Sequence, residues 1–498
     1  MQSLLDPVVQ IARRQPHDAG VPVINGASVF AMTPGRNAHH TLAVRGARPL
    51  SFSLSGSLPE GISFDCEKGC FCGKTSESGT YPLLVTVRNA EGEATREFTL
   101  IVRKGFLGAA PLMGWTSWNA YEWRIDENKI LANARLLCSL GLASRGDSYI
   151  NIDSCWQGNR AGSRPGLHPN SRFPDMPAMV KEIHSLGLKA GIYSTPMVIA
   201  WGSTHQEIFA GSTGYPLDPE YFHTYFGGCG RASYEDADAA LWADWGFDYL
   251  KYDWPMCDIP HTRRMREALD KTGRDVVLSI VTNCKAELAE EYRKYAQSYR
   301  SNPDTRDRWE VIEGNIYTAD VWLDKIGPGG WFDLDMFALG VMTIDRGRKD
   351  ISMPEGRNLL TRDEAITHFS VWAILNSPLQ LSCQLDKMDE FTLDLVSNEE
   401  IIAVNQDITA LPELLREEKI TGDGRMIRKI RIYRKKVSDG AMVYCFVNLA
   451  DDAAEMVFTP EKCAAVRDLW GQRDLGRTES VKMILPAHGS RVLKFSCQ

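Results

Sequence analysis

The chain has 498 residues, 44% of them hydrophobic and 24% charged, with a formal net charge of −8. Those values suit about three folded domains at ~150 residues each and exclude a largely disordered chain. A negative chain without a long Lys/Arg run argues against nucleic acid or an anionic membrane as partner. No run nears the ~20 apolar residues of a membrane helix, so a neutral or small substrate fits better.

Residues 1–20 (MQSLLDPVVQIARRQPHDAG) carry neither an apolar signal core nor a small-residue cleavage site and are expected to form an N-terminal extension. Residues 21–104 read as a β-module. Alternating runs (PLSFSLSG, TYPLLVTVRN, REFTLIVRK) are separated by turns at Pro59-Glu60-Gly61 and Asn89-Ala90-Glu91-Gly92. This stretch is similar to bacterial Ig-like domains, which implies an accessory β-sandwich; spacer and glycan-binding roles both stay open, because such a fold assigns no activity. Cys66, Cys70 and Cys72 crowd one short loop, where a metal, a disulfide or free thiols are all compatible. His39-His40 reads as surface rather than as a ligand pair.

Residues 105–408 alternate short apolar runs with amphipathic segments. The runs are LMGWTSW, SYINIDSCW, LKAGIYST, DYLKYDW, DVVLSIV, SYRSN, GGWFDLDMF and PLQLSC; between them DENKILANARLLCSLGL, MPAMVKEIHSLG, EDADAALWADWG and EAITHFSVWAIL repeat apolar residues near 3.6. Eight strand–helix units in roughly 300 residues predict a (β/α)₈ TIM barrel. A doubly wound open sheet is the alternative, without a GxGxxG or Walker loop to support it. From 409 to 498, alternating strands (MIRKIRIYRKKV, AMVYCFVNLA, AEMVFTP, SRVLKFS) predict a C-terminal antiparallel β-domain. The fold class is therefore a multidomain α/β chain, a TIM barrel flanked by two β-domains.

A barrel presents its working side chains at the C-terminal ends of its strands, and here those ends are acidic. The second run ends in Asp153, the fourth in Lys251-Tyr252-Asp253 and the seventh in Asp333-Leu334-Asp335, while Arg300 and Asp304 follow the sixth. Crowded carboxylates repel, so stability alone does not explain them. Lys251 and Asp253, two apart on a strand, share a face, and the ammonium favours an ionised carboxylate, the state a glycosidic nucleophile needs.

The segments GWTSWN (114–119), IDSCW (152–156), LKAGIY (188–193), WGFDYLKYDW (245–254), RSNPDTRDRW (300–309) and GPGGWFDLDMFALG (327–340), in that order, resemble glycoside hydrolase family 27. The resemblance covers about residues 108–410 and implies a retaining α-galactosidase or α-N-acetylgalactosaminidase that acts on a carbohydrate. It implies Asp253 as nucleophile and Asp304 as general acid/base, with Trp118, Asp153, Tyr193, Lys251, Arg300 and Asp335 around the sugar and Trp309 closing the acid/base motif. Asp304 must be protonated for its first step, so Arg300 is expected to grip a sugar hydroxyl rather than to pair tightly with Asp304.

Departures from the family pattern mark specificity. Ser154 replaces the second of two adjacent aspartates, and Val281 and Cys284 stand where the family reads the sugar's 2-position. The leading activity is exo-cleavage of terminal α-linked galactose; β-L-arabinopyranosidase, α-N-acetylgalactosaminidase and a gluco-configured α-glycosidase are alternatives on the same chemistry. A metal-dependent barrel enzyme using Asp153, Asp253 and Asp335, and a non-catalytic glycan-binding protein, represent other classes. The long aromatic segment after Tyr193 (Trp201, Tyr215, Tyr221, Phe222, Tyr225, Phe226) is either a self-packed loop or a rebuilt pocket rim. Within the resemblance, Cys229 and Cys257 fall where some relatives carry a disulfide. His205 and His223 lack a third ligand at metal spacing, and His168 and His368 read as solvent or helix residues. No metal, cofactor, nucleic acid or membrane partner is expected, and the oligomeric state is open. The Ig-like module fits a periplasmic or extracellular setting, and the missing signal segment fits a cytoplasmic one.

Overall fold

The computed structural model describes residues 3–5, 8–160, 165–200, 211–223, 227–343, 358–422, 425–462 and 464–496. At the N-terminal end a four-stranded sheet (Val29–Met32, Gly92–Val102, Gly79–Asn89, Ser51–Ser55) faces a three-stranded one (Asn37–Thr41, Cys70–Lys74, Ile62–Asp65). Period-two alternation aims Phe52, Phe71, Val85, Val87, Phe98 and Leu100 into one core between the sheets.

The central sheet has eight parallel strands: β1 (Met113–Thr116), β2 (Tyr149–Asn151), β3 (Lys189–Ser194), β4 (Tyr249–Asp253), β5 (Val277–Val281), β6 (Ser298–Tyr299), β7 (Trp331–Phe332) and β8 (Leu379–Leu381). Each neighbours the next, and β8 returns to β1. Between β7 and β8 there is no ladder among the described residues. The seam is closed by the Phe337 N–H donating to Gln380 C=O (2.8 Å) and the Leu334 N–H donating to Ser377 Oγ (3.0 Å). Helices cover the outside; those beginning at Glu127, Met176 and Ile259 are capped by Asp126, Asp175 and Asp258, whose carboxylates accept an orphan N–H of the first turn. Trp115, Trp156, Trp254, Trp331 and Trp372 are fully buried, each contributing roughly 2–3 kcal/mol or more through removed apolar surface.

The C-terminal domain pairs a six-stranded sheet, built on Met442–Asn448 and Ser490–Ser496, with a three-stranded one, around Tyr444, Phe446, Phe458 and Phe495. The smaller sheet includes the start of the chain: Ser3–Leu5 lies parallel to Val481–Leu485. Part of the segment expected to form an N-terminal extension thus adds a strand to a distant sheet. Arg145 ties the N-terminal extension to the barrel: it is buried, and its guanidinium donates to the carbonyls of Gln15 in the extension and of Gly141 and Ser397 in the barrel.

The N-terminal module docks on the barrel face that holds the strands' N-terminal ends. Asp275 Oδ2 accepts from the Thr33 N–H (2.8 Å), Arg36 donates to the Asp270 carbonyl (2.6 Å) and Arg45 pairs with Glu399 (2.6 Å). The opposite face, where the acidic strand tips lie, is left free of the module.

Candidate active site

Parallel register sets the layers of the site. Tyr193 on β3 lies level with Lys251 on β4, and Lys251 with Ser279 on β5. Two residues further along, Asp253 lies level with Val281. Side chains alternate along a strand, so Tyr193, Lys251, Asp253 and Val281 point to the same side, the barrel interior.

The Tyr193 hydroxyl donates to Asp253 Oδ2 at 2.9 Å, and the Thr282 hydroxyl contacts Oδ1 at 3.4 Å. Burial pushes the Asp253 carboxyl up to about 6, only partly offset by the nearby Lys251 and Arg300 cations and reinforced by Asp304. Lys251 does not pair directly with Asp253: its ammonium donates to Asp153 Oδ2 at 2.7 Å. The Asp153 backbone N–H is anchored by Ser117 Oγ (2.9 Å), next to Trp118, whose half-buried ring packs on the core at the end of β1.

Arg300, only 2% exposed, holds the other half together. One Nη donates to Thr282 Oγ1 (3.0 Å) and to Asp304 Oδ1 (2.8 Å); the other forms a short ion pair with Asp335. Burial alone would lower the guanidinium's proton affinity, but Asp335 and Asp304 raise it far above the ordinary value. The expectation that Arg300 grips a sugar hydroxyl rather than pairing tightly with Asp304 is therefore corrected: the two pair directly, because among the described residues Asp304 and Asp335 are the carboxylates within ion-pair distance of the buried guanidinium. Asp304 is the solvent-facing member, its side chain 41% exposed. Asp335, at φ +76°, spends its second oxygen on the Thr305 N–H (2.7 Å), so it braces the Arg300–Asp304 loop rather than pointing at open space. Asp333 accepts from the Asp335 N–H (2.7 Å), and burial followed by the Asp335 charge pushes it up to about 6.

The loop after Asp253 is tied at several points. The Trp254 N–H donates to the Val281 carbonyl (2.7 Å), its indole N–H donates to Asp258 (2.9 Å), and Cys257 Sγ lies 3.1 Å from Cys284 Sγ. Cys257 therefore faces Cys284 and not Cys229, as the resemblance implied; Cys229 sits opposite Met197. Cys284 is thereby turned toward Cys257, and of Ser154, Val281 and Cys284, the positions expected to mark specificity, Val281 is the one in register with Asp253. Ser154 is buried, 3.5 Å from the Gln157 amide. The aromatic segment contains a β-hairpin, Thr213–His223 with Gly227–Ser233, whose Tyr221 ring stands edge-on 4.6 Å from His261 on the helix that follows Asp253. The hairpin thus pairs on itself and also touches the helix that follows Asp253. Trp201, His205, Tyr225 and Phe226 lie outside the described residues, as do the side chains of Phe222 and His223.

Other candidates resolve simply. Cys66, Cys70 and Cys72 are free thiols. His368 is buried, its ring 4.2 Å from that of Trp372, and burial lowers it to about 3. The reading of His39-His40 as surface is overturned: His40 stacks on Phe30 at 4.7 Å, and His39 faces His184 of the barrel. Thr282, which touches both Asp253 and Arg300, was missed; its only sequence signal is its place immediately after a barrel strand.

Comparison with known proteins agrees with this architecture. A family model described as α-galactosidase A matches residues 110–407, one for the α-galactosidase C-terminal β-sandwich domain matches 428–495, and one for an Ig domain matches 21–103. A probable α-galactosidase from Dictyostelium discoideum is 30% identical over 78% of this chain and 92% of its own length. Alpha-galactosidase A of Cellvibrio japonicus is 30% identical over 78% of this chain and 93% of its own. Among solved structures, α-galactosidase I from Mortierella vinacea is 28% identical, with a TM-score of 0.62 over 79% of this chain and 98% of that one.

Proposed function

The chain belongs to the α-galactosidase A family of glycoside hydrolases, and from that premise we propose that it releases terminal α-linked galactose by double displacement. Asp253 is the nucleophile and Asp304 the general acid/base. The observation that carries this assignment is the continuous contact from Asp253 through Thr282 and Arg300 to Asp304, which sets two carboxyls of unlike surroundings around one guanidinium.

In the first step Asp253 Oδ attacks the anomeric carbon while the glycosidic C–O bond breaks and the leaving oxygen takes the Asp304 proton. In the second, Asp304 as carboxylate removes a proton from water, which displaces Asp253. The Arg300 contact favours Asp304 in its charged form, which suits the second step and opposes the first. Arrival of a leaving group at the solvent-facing side of Asp304 therefore has to lengthen that contact. Tyr193 and Thr282 orient the two Asp253 oxygens; Trp118 offers an aromatic face to the apolar side of the sugar. Asp153 and Lys251, already paired, present their remaining hydrogen-bonding positions to sugar hydroxyls.

A second reading, β-L-arabinopyranoside hydrolysis, is favoured by Ser154, because that sugar is an α-galactoside lacking its C6 arm and needs one polar contact fewer. A β-L-arabinopyranosidase from Geobacillus stearothermophilus shares the fold at 24% identity and a TM-score of 0.66. The test pairs rates on nitrophenyl α-D-galactoside and nitrophenyl β-L-arabinopyranoside with intact-mass labelling by a 2-fluoro galactoside. A covalent adduct on Asp253, absent in Asp253→Asn, is expected. Turnover of neither substrate, or labelling at another residue, overturns the assignment.

A further inference from the structure

At the opposite end of the barrel a donor set stands outside this chemistry. His39 comes from strand Asn37–Thr41 of the N-terminal module, His184 from the last turn of the helix Met176–Ser185, and Asp248 immediately precedes β4. His184 Nε2 lies 2.8 Å from Asp248 Oδ2, and His39 Nδ1 lies 4.0 Å from Asp248 Oδ1. The two imidazole rings meet edge-on at 4.8 Å, and one ligand atom from each residue falls within 4.8 Å of the others. All three line a cleft of about 770 Å³ between the module and the barrel, which gives an ion a path in.

We propose that His39, His184 and Asp248 bind a zinc-type divalent ion that clamps the N-terminal module to the barrel. Two imidazoles and one carboxylate are a borderline-soft donor set, suited to zinc and poorly suited to calcium or magnesium, which take oxygen ligands. Bonds of about 2.0–2.1 Å at tetrahedral angles set ligand atoms roughly 3.3 Å apart, so side-chain rotations of a fraction of an ångström to about an ångström suffice. The ion takes the place of the hydrogen between His184 Nε2 and Asp248 Oδ2, and His184 carries its proton on Nδ1 instead. Asp248 is already oriented from outside by the Ala190 N–H (2.9 Å) and Arg274 (2.6 Å), the supporting contacts a ligating carboxylate normally has. Lys189, Arg274 and Arg48 oppose a cation here, and Asp244, Asp275 and Asp248 on the same cleft balance them. Burial and the Lys189 charge hold His39 near 4, which keeps its imidazole neutral at neutral pH.

The test is calorimetric titration of ZnCl₂ into the full chain after the exposed thiols, Cys66 and Cys72, have been alkylated. One ion per chain is expected, with a zinc-dependent rise in Tm. His39→Ala and His184→Ala should each weaken binding by at least about tenfold, while the same variants keep wild-type turnover of the nitrophenyl galactoside and, without zinc, a cooperative unfolding transition. If the wild type takes up no zinc at about 100 μM, or if both variants bind as it does, the site is refuted. A variant that fails to unfold cooperatively is replaced by His39→Gln, read by the same titration. Because zinc binding and Tm are measured without substrate, failure of the clamp is distinguishable from failure of the proposed glycosidase activity.

Discussion

Asp248 and Asp253 sit at the two ends of one strand, both among charged neighbours, and they end in opposite states. Burial pushes both up. At Asp248 the His184 hydrogen bond and the Arg274, His184 and Lys189 charges overwhelm it and bring the carboxyl down to about 2. At Asp253 the neighbouring cations are engaged elsewhere, Lys251 with Asp153 and Arg300 with Asp335 and Asp304, and the carboxyl stays near 6. At these two ends of β4 the difference lies in contact: cations that touch Asp248 hold it ionised, while those near Asp253 are committed to other partners and leave it raised.

The widest separation between the two ends comes from a pair of amide substitutions. Asp253→Asn should cost at least about 10⁴ in kcat/KM, measured with an activated galactoside, while Asp248→Asn leaves kcat near wild type. Their stabilities should move in opposite directions. Asp248→Asn is expected to destabilise by about 2–3 kcal/mol because it removes the charge that His184 and Arg274 contact. Asp253→Asn is expected to stabilise by about 1–3 kcal/mol at pH 8, since a carboxyl raised to about 6 costs folding energy that builds up as pH rises through the range from about 4 to 6 and is fully present above it. A fall in Tm for both variants would break the contrast.

Asp304→Asn should lose about 10²–10⁴ on substrates with poor leaving groups and less on nitrophenyl ones, read from a leaving-group series. With acid, the linkage at the two ends runs oppositely. The depressed Asp248 contributes about 2–3 kcal/mol above pH ~4, lost as pH falls toward 2, whereas kcat/KM should already decline below about pH 6 as Asp253 is protonated; a urea-unfolding series and a pH–rate profile check each. Smaller still, Thr282→Val should cost about tenfold, near 1.4 kcal/mol, with Thr282→Ser close to wild type; equal rates in both variants would remove Thr282 from the link between the carboxyls. Tyr193→Phe, by deleting a donor to the Asp253 carboxylate, should move the acid limb to higher pH.

Much of this was legible in the sequence because it depends on local period. Strands β1–β5 and β8 are apolar runs long enough to register, and the acidic residues at their tips stand out against them. β6 and β7 are only two residues each; their place was readable through flanking motifs, not through pattern. What stayed hidden depends on three-dimensional pairing. Cys257 against Cys284 and His39 turned toward the barrel join elements whose approach no one-dimensional spacing encodes, and the Arg300–Asp304 pair, though only four residues apart, depends on Asp335 and Thr282 fixing the guanidinium. Thr282 had no distinguishing chemistry until its two neighbours came into contact range.

The parallel pairing of Ser3–Leu5 with Val481–Leu485 has a consequence for biosynthesis. Residues 3–5 are made well before residues 481–485, so Leu5 gains its cover only after the N-terminal module and the barrel, which lie between them in the chain, have had time to form. The smaller C-terminal sheet therefore closes through a contact of long sequence separation, which is slow to form and leaves its partner edge uncovered until then.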